Sequence, residues 1–367
     1  MILAPCSAGE LAAHLADASG KNQRVNVFGT STKHQMGGPV AAADVTISTR
    51  SLNRVLEYHP RDLTISVEAG ISYGELSAVL AANRQMIPLD PPFSDGATMG
   101  GIVAANSSGP RRRLYGTARD IVIGMTFATL EGKLVRTGGL VVKNVAGLDM
   151  GKLMIGSFGT LAAVAVVNFR LYPMPPATRT FVQRFQLVDD AIAARDRVLA
   201  SPLQPASVDL LRSTDGFDLM IQAGGSTAVL NRYSRELEGA TVMEGAEEEA
   251  LWNKVREFTP TFLAEHPEGA VVRISCSLSQ LGEVLKSMPA PVLARAGSGV
   301  CYAYFPNASG VRLPGMGKSV IEFAPQTLRE NRELWPQPGN DFEMMKMLKQ
   351  MFDPQGLLNR GRLYGRI

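Results

Sequence analysis

The sequence predicts an α+β fold in more than one domain, and three observations carry that prediction. At 367 residues, with 45% hydrophobic and 19% charged residues, it has globular composition and exceeds one typical domain. Strand-like and helix-like runs follow one another in irregular order up to about residue 175. From Pro88 to Leu171, glycine is packed beside Thr, Ser and Asn between apolar runs of strand character. That composition suits backbone passing very close to a large, flat, polar ligand, because Gly removes the Cβ and permits φ > 0. Exposed N–H groups in such turns form concavities for a pyrophosphate.

Residues 7 to 20 read as a helix: Ser7 and Glu10 make a capping box, Leu11, Leu15 and Ala18 share one face, and Gly20 ends it. Val25-Asn26-Val27-Phe28 is a short strand running into Gly29-Thr30-Ser31-Thr32-Lys33, either a phosphate cradle or an ordinary turn. Residues 44–48 and 62–68 are further strands, the second alternating apolar and polar until Gly70. Ser72 and Glu75 cap a helix through Leu76, Val79 and Leu80. Residues 121–130 and 134–137 form a hairpin about Glu131-Gly132-Lys133, and 161–171 is a Val-rich strand. Tyr172-Pro173-Met174-Pro175-Pro176 stops regular structure and marks the domain boundary.

Beyond it, strands at 181–188, 207–211, 219–223, 270–275 and 301–305 are interspersed with helices at 189–199, around 234–237 and at 247–257. No second glycine cradle occurs there, which suits an α+β substrate or cap domain. Residues 342–352 form an amphipathic, Met-rich helix leading into Asp353-Pro354-Gln355-Gly356.

The net charge of +3 is too small to argue for nucleic acid. Cys6, Cys276 and Cys301 are scattered without CxxC spacing, so they hold no iron–sulfur cluster alone and suggest no disulfide framework. A reducing cytoplasm fits. The first residues lack the basic start and apolar core of a signal peptide. No apolar run reaches the ~18 residues of a membrane span, so membrane association would come through a partner.

Three blocks carry a resemblance. Leu63 to Gly70, followed by a helix and Pro88-Leu89-Asp90-Pro91, is the first. Thr98-Met99-Gly100-Gly101 with Ala105-Asn106-Ser107-Ser108-Gly109 is the second, and Gly156-Ser157-Phe158-Gly159-Thr160-Leu161 the third. In this order they resemble the flavin-binding oxidase superfamily of vanillyl-alcohol oxidase, p-cresol methylhydroxylase (PCMH) and D-lactate dehydrogenase. Gly109-Pro110-Arg111-Arg112, Arg119-Asp120, Val142 to Asp149 and Phe352 to Gly356 narrow the likeness to the smaller, FAD-binding subunits of glycolate oxidases. The likeness covers residues 25–175 and the last 20, with the middle only in outline.

The resemblance implies a two-subdomain PCMH-type FAD-binding domain over residues 1–175. A cap domain would cover 176–325, and a C-terminal helix and tail over 326–367 would return to the FAD domain. It implies noncovalent FAD, since neither His nor Cys occurs from Pro88 to Leu171. The implied cofactor contacts are Gly29, Thr30, Ser31, Thr32, Pro91, Thr98, Gly100, Gly101, Asn106, Ser107, Gly109, Arg119, Asp120, Lys143, Asn144, Gly156, Ser157, Gly159 and Asn359. It also implies a small 2-hydroxy acid substrate such as glycolate, a larger FAD-containing subunit and an iron–sulfur subunit, with no metal held by this chain.

Two departures keep alternatives open. The first loop carries Thr30, Ser31 and Thr32 where the superfamily has a run of glycines. The only histidines, His14, His34, His59 and His266, are widely separated, whereas 2-hydroxy-acid members carry a histidine-rich cap constellation. No catalytic residue is assigned. The chain reads as a catalytic FAD subunit, as a stand-alone flavin oxidoreductase, or as a non-catalytic subunit supporting a flavoprotein partner. Arg111, Arg112 and Arg113 are either solvated or offset phosphate or a subunit's acidic surface. Arg119-Asp120 is either an ion pair or a clamp under the flavin. The methionines at 344, 345, 347 and 351 are either core or a subunit contact.

Overall fold

The computed structural model describes residues 2–140, 149–364 and 367. They form two compact units. One comprises Met1–Ser108, Thr117–Met174 and Gln337–Ile367; the other comprises Gly109–Gly116 and Pro175–Pro336.

The first unit contains a three-stranded parallel sheet in the order Ile2–Leu3, Val45–Ser48, Val25–Phe28. The helix Ala8–Gly20 packs on it. Ser7 accepts the Glu10 N–H at 3.1 Å, and the Glu10 carboxylate accepts the Cys6 N–H at 2.8 Å, satisfying N-terminal donors. Leu11, Leu15 and Ala18 pack with Ile47, Leu130 and, from the tail, Leu357 and Leu358.

A five-stranded antiparallel sheet follows, ordered Val55–His59, Thr64–Glu68, Ala163–Arg170, Val122–Ala128, Leu134–Gly138. Gly132 at φ +80° makes the turn of its hairpin. Every residue of Thr64–Glu68 is buried, although its pattern alternates. Ile65 and Val67 face the apolar core, and Glu68 is held on the opposite side by Arg54 at 2.7 Å.

The Pro-rich boundary departs from expectation. Tyr172–Pro173 is not irregular but pairs antiparallel with Gln85–Met86. A two-strand ribbon tolerates a residue without an N–H, and the following Met174 N–H donates to Arg84 O at 2.7 Å.

The second unit is built on one eight-stranded sheet, ordered Thr241–Met243, Ala177–Phe185, Gly216–Gly225, Ser207–Ser213, Val292–Arg295, Val300–Phe305, Ala270–Ser275, Lys318–Phe323. All its pairings are antiparallel. Helices Val188–Ala200, Thr227–Glu236 and Leu281–Ser287 cover one face with Val188, Leu230, Tyr233 and Val284 over Phe181, Ile221 and Val272. The helix expected near 234–237 thus begins earlier, at Thr227, where Ser226 caps it.

Candidate functional site

The strand Val25–Phe28 ends at Gly29, and only glycine fits there. An added Cβ would lie 2.1 Å from Thr98 Oγ1. Ser48 Oγ donates to Gly29 O at 3.0 Å and Thr49 Oγ1 to Phe28 O at 3.3 Å, so side chains pin the loop from beneath. Thr30 Oγ1 donates to Gly96 O at 2.5 Å. The Thr30 side chain is therefore turned onto the neighbouring loop. Ser31 sits at φ +58°. Among the described residues, the backbone N–H groups of Thr30, Ser31 and Thr32 meet no intramolecular acceptor. Three successive unpaired donors around a left-handed residue make an anion-binding nest.

Thr98 caps the helix Met99–Ala104, accepting the Gly101 N–H at 3.3 Å. Gly100 lets this helix lie directly on the strand Thr64–Glu68 extended through Ala69: its N–H donates to Ala69 O at 2.7 Å, and an added Cβ would be 2.8 Å from the Ala69 Cβ. Gly101 is exposed, and an added Cβ there would meet only Thr98 Oγ1, at 3.1 Å. The following turn puts Asn106 at φ +48°, exposed, with its side-chain amide unpaired among the described residues; Ser107 beside it is buried.

The loop 156–160 packs on the same helix. Gly156 N–H donates to Val103 O at 3.2 Å and Phe158 N–H to Ala104 O at 2.9 Å. Gly156, at φ +81°, lies against the Asn106 Cβ. Ser157 is inward: its hydroxyl donates to Met154 O at 2.8 Å and accepts the Gly159 N–H at 3.2 Å.

The tail completes the arrangement. Asn359, buried, accepts the Val27 N–H at 2.8 Å and donates to Val27 O at 3.1 Å and Phe158 O at 3.2 Å. One side chain thereby ties the first loop to the third. Lys349, also buried, donates to Thr160 O at 2.8 Å, Asp353 Oδ2 at 2.6 Å and Leu358 O at 3.1 Å. Asp353 in turn accepts the Leu357 and Leu358 N–H groups. Burial lowers the Lys349 pKa, against the opposing pull of Asp353.

The FAD binding domain model matches residues 1–138, and the model of the FAD linked oxidases C-terminal domain matches residues 336–363. The chain therefore carries segments similar to two domains of FAD-linked oxidases, one at each end. It is 28% identical to glycolate oxidase subunit GlcE of Escherichia coli (strain K12) over 342 residues, 93% of either chain. It is 28% identical to glycolate oxidase subunit GlcD of Bacillus subtilis (strain 168) over 210 residues, 57% of this chain but only 45% of that protein. A solved structure of alkyldihydroxyacetonephosphate synthase shares the fold, with a TM-score of 0.72 at 17% identity, covering 99% of this chain and 77% of that one.

FAD is the cofactor of this chain. The nest of N–H groups at 30–32 and the exposed glycine at 101 fit a pyrophosphate, because both present donors or bare backbone where side chains would otherwise intrude. The Thr30 side chain does not close the nest, since it is drawn to Gly96.

The structure thus gathers residues 29–32, 98–101, 106–107, 156–159 and 359 in one region. Pro91 is buried in the adjoining loop, where the Lys33 ammonium lies 5.6 Å from the Phe93 ring centroid. Lys143 and Asn144 lie outside the described residues. Gly109 belongs to the second unit.

Arg119 and Asp120 do not form the ion pair with one another. Asp120 accepts the Thr117 N–H at 2.8 Å as a helix-capping carboxylate, while Arg119 Nη1 donates to Lys152 O at 3.1 Å. Arg113 is not simply solvated: it donates to Pro205 O at 3.0 Å and packs on Gly297 within the second unit. Met344, Met347 and Met351 are exposed, so they are not core. The four histidines stand on separate elements, and no group of three or more His, Cys, Asp or Glu among the described residues is placed to hold a metal. Sequence reasoning missed Lys349. Its one signal was a lysine four residues before Asp353 in an otherwise Met-rich helix.

Proposed function

We propose that this chain is the FAD-binding subunit of an assembly that oxidises a small 2-hydroxy acid, glycolate to glyoxylate, and passes electrons to partner subunits. The similarity to the Escherichia coli glycolate oxidase subunit, which extends over 93% of both chains, carries the reading. Within the chain, the N–H groups of residues 30–32 hold the pyrophosphate, Gly101 admits the cofactor to the start of its helix, and the Asn106 amide supplies a free polar contact. The buried Asn359 and Lys349 act on the cofactor only through the loops they fix. FAD supplies the hydride acceptor.

The partners are a larger flavin-containing subunit, similar to the Bacillus subtilis relative, and an iron–sulfur subunit that carries electrons away. No helix among the described residues is long and apolar enough to cross a membrane. A second reading, in which the partner performs proton abstraction and this chain supports it, is favoured by the dispersal of the histidines, the residues that most often serve as base near neutral pH. The deciding experiment adds glycolate anaerobically to the FAD-loaded chain alone and with its partners. Bleaching of the visible flavin band in the isolated chain establishes catalysis here; bleaching only with partners favours the second reading, and none in either state refutes the glycolate assignment.

A further inference from the structure

Cys276 and Cys301 are separated in sequence by a helix and a strand, yet they meet at one end of the eight-stranded sheet. In the pairing of Ala270–Ser275 with Val300–Phe305, Ile274 lies directly opposite Cys301. Side chains two apart along a strand point to the same face. Cys276 follows that strand, and its N–H donates to Gly299 O at 2.9 Å, which carries the register one step further. Cys276 and Cys301 are therefore diagonal neighbours on one face, and both pack in the apolar core beneath the helices. Both are free thiols, Cys301 fully buried and Cys276 partly exposed.

The buried Arg195, on helix Val188–Ala200, reaches the same corner. Its Nη2 donates to Leu278 O at 3.1 Å and its Nη1 to Ala296 O at 3.2 Å, so it joins the segment after Cys276 to the segment before Cys301. Its Nε pairs with the exposed Asp196 at 2.7 Å. Hydrogen bonding from Cys301 lowers the Cys276 thiol below its ordinary pKa; burial opposes this and the Arg195 charge assists it. The same bond, together with burial, raises Cys301, which keeps its proton. An accessible thiol tuned towards thiolate, beside a second thiol that stays protonated, is the arrangement of a peroxide-sensitive cysteine and its resolving partner.

We propose that Cys276 and Cys301 form an oxidative modification site, in which a hydroperoxide oxidises Cys276 and Cys301 then closes a reversible intramolecular disulfide. With hydrogen peroxide, the Cys276 thiolate attacks one oxygen, the O–O bond breaks, and hydroxide leaves. The sulfur becomes a sulfenic acid. Cys301 sulfur then attacks the Cys276 sulfur, the S–O bond breaks, and the departing oxygen takes the Cys301 proton and leaves as water. In sum, two thiols and one peroxide give a disulfide and two waters, the peroxide being reduced. A diagonal pair lies near the upper end of the Cα separation a disulfide spans, about 7 Å. Cys276 is beyond the last residue of its strand, so drawing it inwards leaves the ladder of Ala270–Ser275 intact.

The test treats the purified full chain with hydrogen peroxide, blocks remaining thiols with N-ethylmaleimide after unfolding, and maps tryptic peptides with and without dithiothreitol. The three thiols of the chain fall to one, Cys6, and peptide 274–286 is joined to peptide 296–312 until dithiothreitol separates them. In Cys301→Ala the resolving thiol is gone, and dimedone labels Cys276 as the trapped sulfenic acid. In Cys276→Ala, Cys301 remains an unlabelled thiol.

The exposed Met344, Met347 and Met351 report the dose, because peroxide converts such side chains to sulfoxides. A wild-type chain that keeps both thiols once these methionines are oxidised overturns the site, as does a disulfide made to Cys6. Dimedone labelling of Cys301 in Cys276→Ala as strong as that of Cys276 in Cys301→Ala overturns the assigned order of attack. The wild-type peptide map decides the matter even where a variant fails to fold.

Discussion

Replacing Lys349 by methionine tests how the C-terminal tail supports the cofactor loops. The ammonium serves three acceptors at 2.6–3.1 Å: Asp353 Oδ2, Thr160 O and Leu358 O. Removing it strands a carboxylate that is 2% exposed, together with two buried carbonyls. Breaking a buried ion pair from one side costs about 3–5 kcal/mol. Asp353 keeps the Leu357 and Leu358 N–H groups at 2.9 and 2.8 Å, which places the cost near the lower end, about 3 kcal/mol. At about 2–4 °C per kcal/mol for a unit of this size, the thermal midpoint for flavin release falls by about 6–12 °C. Lys349→Met/Asp353→Asn removes both charges, so its loss is smaller than the sum of the two single losses. A Lys349→Met midpoint within about 1 °C of wild type, or a double variant worse than additive, refutes the reasoning.

Gly29→Ala drives a Cβ to 2.1 Å from Thr98 Oγ1 and is expected to abolish flavin retention, whereas Gly139→Ala, which meets nothing within 4 Å, leaves bound flavin per chain unchanged. Asn359→Gly preserves the left-handed backbone at φ +43° but deletes the side chain joining Val27 to Phe158; titration of the apoprotein should show FAD affinity reduced about tenfold or more. Glu75 is held down to about 2 chiefly by its hydrogen bonds to Arg50, with the Ser72 cap adding to the effect. Because its folded pKa lies below its unfolded one, its contribution is complete above about pH 4.5 and is lost as pH falls towards 2. Arg50→Gln should therefore flatten the acid limb of the stability profile measured by urea unfolding.

Much of the fold was legible because local chemistry and tertiary demand agreed. Ser7, Ser72 and the Glu131-Gly132-Lys133 turn sit where their capping and turn chemistry places them. Glycines at 29, 100, 101, 156 and 159 announced close backbone approach, and the packing around Gly29 and Gly100 supplies the reason. Short strands were harder to read. Val55–His59 has only five residues, three of them exposed, and Val292–Arg295 is four buried residues indistinguishable in pattern from a helix fragment.

The polar groups that join distant segments were not legible. Asn359 meets Val27 across 332 residues, and Arg295 meets Asp209 across 86. No periodicity encodes such a pairing. Tyr172–Pro173 was misread because proline argues against a strand in general but not at the end of a two-strand ribbon.

The most direct test of the account is the amount of FAD bound by the purified full-length chain after reconstitution, read from its visible absorption. The account predicts a stable flavin band, released on denaturation as free FAD and lost in Gly29→Ala. A chain that carries no flavin and takes none up, or one whose flavin is retained unchanged in Gly29→Ala, would contradict the assignment of the 29–32 and 98–101 loops as the cofactor cradle.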